Sequence, residues 1–136
     1  MSIQIRDTLS PALRRRASAI RDRKPILEAM GLVFVSLTKR AFTTPSLRPL
    51  PWPDKRDGSP ATLRRSGALW QSIRITSLTN DSVTVGSDRR YAAVHQFGGK
   101  RMPPRPFFPI LNSELTPEAK KQIGNVARLK IAALLR

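Results

Sequence analysis

Residues 73–86, IRITSLTNDSVTVG, decide the fold class. Ile73 and Ile75 alternate with polar residues, Asn80-Asp81 supplies a turn, and Val83 and Val85 alternate again before Gly86. A period of two on both sides of a turn predicts an antiparallel β-hairpin. The longer apolar patterns around it repeat at helical spacing, so the expected class is α+β: N-terminal helices, a central antiparallel hairpin or small sheet, and a C-terminal helix.

Immediately upstream, LRRSGALWQSI (63–73) reads as a short helical turn, with Leu63, Leu69 and Trp70 apolar, leading into the first strand. Before it, FTTPSLRPLPWPDKRDGSPAT (42–62) carries Pro45, Pro49, Pro51, Pro53 and Pro60, which exclude regular helix or central strand and predict a long loop. Trp52 implies that the middle of this loop docks, either on the core or on a neighbouring subunit. Further back, Ile26, Leu27, Met30, Val33, Phe34, Leu37 and Ala41 mark the main core helix. Ser10-Pro11 is a cap-and-first-turn pair that opens an earlier helix with Leu13, Ala17 and Ile20 on one face. Its arginines form either a solvated face or a charged contact surface.

Downstream, Tyr91 to Phe97 predicts one or two helical turns ended by Gly98 and Gly99, which read either as a stop that needs positive φ or as a flexible joint before Lys100. Residues 100–111 read as an extended arm stiffened by Pro103, Pro104 and Pro106. Thr116-Pro117-Glu118 then starts a C-terminal amphipathic helix through Ile123, Val126, Ala127, Ile131 and Leu134. There is no internal repeat, and the length suits one domain over 1–136.

With no Cys there is neither a disulfide framework nor a thiolate metal site. No stretch has the length of a signal-peptide core or approaches the roughly 20 apolar residues of a membrane span, so a non-exported, membrane-free protein is expected. The 25 Lys and Arg against 9 Asp and Glu give a formal charge of +16, which attracts nucleic acid or acidic proteins without saying which. No DNA-reading pattern accompanies the basic residues, so base-specific readout is not expected.

The chemistry is thin. His95 is the only histidine, and no nucleophile elbow, metal-ligand spacing or paired carboxylates are present. An enzyme is therefore not expected, nor a cofactor or metal. His95, Gly98 and Gly99 read as a structural turn, in which the half-buried imidazole hydrogen-bonds a backbone carbonyl.

YAAVHQFGG (91–99) followed by MPPRPFF (102–108) resembles the signature of the phage virion morphogenesis family, whose members act in tail completion and head-tail joining. Leu63, Ser66, Gly67, Leu69, Ser72 and Ile73 resemble the family's L-x-x-S/T-G-x-L-x-x-S-I element, and Val83-x-Val85-Gly86 resembles the strand before its YA-x-x-H-Q-F-G segment. Phe42 with Pro51-Trp52 resembles its phenylalanine and proline-tryptophan loop, so the likeness spans residues 24–108. PSLRPLPWP departs from the shorter turn common in the family. The resemblance implies a small α+β structural protein of a phage neck or tail end, made in the host bacterial cytoplasm. It also implies a hexameric or dodecameric ring of copies around the DNA channel, in contact with other neck or tail proteins.

Two sets of residues then become candidates. Trp52, Met102, Pro104, Arg105, Phe107 and Phe108 are expected to meet a partner, with the two phenylalanines filling a neighbour's pocket or packing on the hairpin. Arg14, Arg15, Arg16, Arg64, Arg65, Arg89 and Arg90 are expected to touch either genomic double-stranded DNA or acidic partner proteins. The alternative to a structural subunit is a small basic protein that binds nucleic acid without sequence preference.

Overall fold

The computed structural model describes residues 1–5, 10–63 and 67–136. The hairpin forms where the alternation predicts it. Strands β2 (Arg74–Leu78) and β3 (Val83–Gly86) pair antiparallel, Ile75 opposite Val85, with an irregularity between Ile75 and Ser77. The turn between them is tied down by side chains: Arg23 N–H donates to Asn80 Oδ1 at 2.6 Å, and the Arg23 guanidinium reaches Asp81 at 3.2 Å.

A third strand, β1 (Ser2–Ile5), extends the sheet in the order β1-β3-β2, with Ile3 opposite Val85 and Ile5 opposite Val83. Four residues carrying two isoleucines are too short a pattern to announce themselves. The central place of β3 explains why Val83 and Val85 are fully buried.

Helix α1 (Pro11–Ala17) starts at the predicted cap, the Ser10 hydroxyl accepting from Leu13 N–H. It ends before Ile20, which is buried in the turn that follows. Helix α2 (Lys24–Ala41) is the core helix and packs against β2 and β3 as well as the C-terminal helix, Pro117–Leu134. It approaches the sheet closely at Gly31, where a Cβ would stand 2.7 Å from Val83 Cγ2 and 3.0 Å from Ile75 Cδ1. Helix α3 (Ala68–Ser72) follows Gly67 in the left-handed region and leads into β2. The proline-rich loop contains one 3-10 turn, Pro45–Leu47.

Helix α4 (Ala92–Phe97) stops at Gly98, whose φ of 83° suits glycine. Gly99 does not share that conformation, contrary to expectation; it bridges to Met102, with its N–H donating to the Met102 carbonyl at 2.9 Å. The end of the expected arm is also different, because β4 (Ile110–Leu111) pairs with β5 (Glu114–Leu115) in a small hairpin. Helix α5 (Pro117–Leu134) begins with the Thr116 side chain accepting from Ala119 N–H. It buries Ala119, Ile123, Ala127 and Ile131, while Leu134 is exposed.

Candidate assembly surface

The two proline-rich segments clasp each other. The Trp52 indole N–H donates to the Pro106 carbonyl at 2.8 Å, and the Arg105 guanidinium donates to the carbonyls of Pro53 and Asp54 at 2.9 and 3.1 Å. Proline removes backbone donors, so both segments present carbonyls with no ladder partner, and these side chains satisfy them. Arg48 secures the other side. It donates to the carbonyls of Ala41 and Phe42 at the end of α2, and its guanidinium lies 3.7 Å from the centre of the Trp52 ring.

Phe107 and Phe108 have no exposed surface. Phe108 stacks on Phe34 of α2, and Phe107 lies against Phe42, with ring centres 5.8 and 5.5 Å apart. Their backbone is held by Gln96: its Oε1 accepts from the N–H groups of both Phe107 and Phe108, at 3.0 and 2.9 Å, and its Nε2 donates to the Phe108 carbonyl. Extended chain without a sheet partner would leave these donors unsatisfied in the core, and one amide side chain answers both.

Trp52, Arg105, Phe107 and Phe108, expected either to meet a partner or to pack internally, are buried within the chain in this structure. The physical reason is that two aromatic rings next to three prolines complete an aliphatic core more cheaply than they could remain in water. Met102 and Pro104 are exposed.

His95 is half-buried, and its Nδ1 is enclosed without a hydrogen-bond partner, contrary to the expected bond to a carbonyl. The ring instead stands edge-on to Tyr91. Burial, and then the charge of Arg105, hold its pKa below the ordinary histidine value. The turn is fixed by backbone, the Arg105 N–H donating to the His95 carbonyl at 2.6 Å.

The exposed face of α4 was not anticipated. Ala92 and Gln96 point inward, leaving Tyr91, Val94 and Phe97 on the outer side, and Phe97 is 67% exposed. Spacings of three along a helix would have revealed this ridge. Beside it lies a cavity of about 370 Å³ whose walls include Leu50, Phe97, Pro104 and Leu111 and, among the described residues, contain no charged side chain.

Arg14, Arg15 and Arg16 are exposed on α1, and Arg89 and Arg90 are exposed just before α4. Arg64 and Arg65 lie outside the described residues, as does Ser66 of the 63–73 element. Among the described residues Arg105 is the only buried basic side chain, so the positive charge is at the surface. Among them, too, no cluster of three His, Cys, Asp or Glu is placed to hold a metal ion, and no helix is long and apolar enough to cross a membrane.

The sequence model of the phage virion morphogenesis family matches residues 3–131. No curated protein and no solved structure matches the chain.

Proposed function

The chain belongs to the phage virion morphogenesis family, and on that footing we propose that it is a structural subunit of a tailed-phage neck or tail end, needed for tail completion and head-tail joining. Copies form a ring around the DNA channel, and exposed arginines such as Arg14, Arg15 and Arg16 face the passing genome. The observation that carries this reading is the family match across nearly the whole chain. The surface position of the basic residues supports it, because a ring sums the fields of its subunits over the channel.

Electron microscopy of whole particles tests the placement, with the protein expected as a ring at the head-tail junction or tail end. Its absence from particles would sink the proposal. Reversing Arg14, Arg15 and Arg16 to glutamate is expected to impair DNA passage, and unchanged assembly and ejection would remove the channel role. The high positive charge favours a second reading, a small nucleic-acid-binding protein acting alone. Tight duplex binding by a free monomer, falling steeply with salt, would support it.

A further inference from the structure

We infer that the outer face of α4, with the uncharged cavity beside it, is a docking surface for a different protein that presents an apolar anchor within an acidic rim. The inference rests on the structural-subunit reading and names the kind of partner that this face would take.

Three observations converge. Among the described residues Phe97, at 67%, is the most exposed large hydrophobic side chain, and it shares its face with Tyr91 and Val94, at 41% and 37%. Met102, whose backbone bridges to Gly99 just beyond α4, is also exposed, at 38%. Such an apolar ridge next to an uncharged hollow has the form of the centre of a protein interface. A groove for duplex DNA would instead direct cations at phosphates across its middle.

The rim is basic. Arg89 and Arg90 stand at the start of α4, and Lys100 and Arg101 stand just beyond its end, all four exposed. Asp88 is the acidic residue within this stretch; it lies 3.8 Å from Arg89 and 3.9 Å from Arg74. Arg90, Lys100 and Arg101 form no ion pair with the described residues. Cations at both ends of an apolar ridge select an acidic surface by long-range attraction and reject a basic one.

A second copy is a poor occupant. It carries +16, with 9 Asp and Glu against 25 Lys and Arg, so it would bring mostly like charge to the rim. The partner is therefore another protein. In this arrangement Arg89 and Arg90 serve protein docking, and any contact with DNA falls to other arginines.

The test uses the full chain and three probes: a synthetic peptide with two leucines between runs of glutamate, the same peptide with lysines in place of the glutamates, and a short DNA duplex. The glutamate peptide is expected to bind at low salt and to shift the amide resonances of Val94, Phe97 and Leu111, while the lysine peptide does not bind. Phe97→Asp, at an exposed position, is expected to weaken the glutamate peptide about tenfold or more and to leave duplex affinity unchanged. Arg90→Glu with Lys100→Glu is expected to weaken it similarly.

The inference is overturned if the glutamate peptide does not bind, if its affinity ignores Phe97→Asp, or if Phe97→Asp weakens the duplex by the same factor. None of these results bears on whether the protein forms a ring in the particle, which imaging of particles decides separately.

Discussion

Replacing Gln96 with methionine keeps much of the side chain's volume and removes its amide. Oε1 is the acceptor for two backbone donors, Phe107 N–H and Phe108 N–H, and Gln96 is only 4% exposed, so water does not readily take its place. A buried donor left unsatisfied costs about 1–3 kcal/mol, so two cost about 2–6 kcal/mol. That is a large part of the 5–15 kcal/mol typical of a folded domain. Urea unfolding followed by tryptophan fluorescence measures it, and with a slope of about 1–3 kcal/mol/M the midpoint is expected to fall by roughly 1 M or more. Gln122→Met is the control, because the Gln122 side chain bonds Glu118 at the surface and its loss should change stability by no more than about 0.5 kcal/mol. If Gln96→Met unfolded within about 0.5 kcal/mol of the wild type, Gln96 would not be what holds the Phe107-Phe108 backbone in the core.

Three other perturbations address different parts of the fold. Gly31→Ala places a methyl group 2.7 Å from Val83 Cγ2, and although alanine favours helix by about 1 kcal/mol, overpacking costs about 1–3 kcal/mol, so net destabilisation is expected by thermal unfolding. Trp52→Phe leaves the Pro106 carbonyl without its donor and is expected to cost about 1–3 kcal/mol in the same assay, with faster proteolysis of the 42–62 loop. His95 has a folded pKa below its unfolded value of about 6.5. Its neutral form therefore supports the fold fully above that pH, and the support is lost as pH falls through the lower, folded value. Stability measured from pH 8 to 5 should decline more in the wild type than in His95→Phe; parallel curves would exclude His95 as the cause.

Much of the architecture is legible in local pattern. The alternation around Asn80-Asp81 specifies a hairpin because successive strand side chains face opposite sides, and the caps at Ser10 and Thr116 specify helix starts because they satisfy local backbone donors. The strand at Ser2–Ile5 escaped notice because its partner, β3, is some 80 residues away in sequence and nothing within four residues encodes that distance. Gly31 is silent for a similar reason: a glycine inside a helical pattern says nothing about the valine and isoleucine that approach it from the sheet.

The YAAVHQFGG and MPPRPFF segments show the division most clearly. By itself the sequence determined the chain's family, its helix and hairpin periods and its positive charge, because these depend on residue identity and near neighbours. Tertiary structure alone decided which aromatic residues face inward. Phe107 and Phe108 are buried because Gln96, Arg105 and Trp52, brought in from separate segments, satisfy the polar backbone around them; Phe97, equally apolar, stays exposed because α4 turns its Ala92 and Gln96 face to the core. Hydrophobicity sets the gain from burial, but only the assembled chain determines whose backbone can be buried with it.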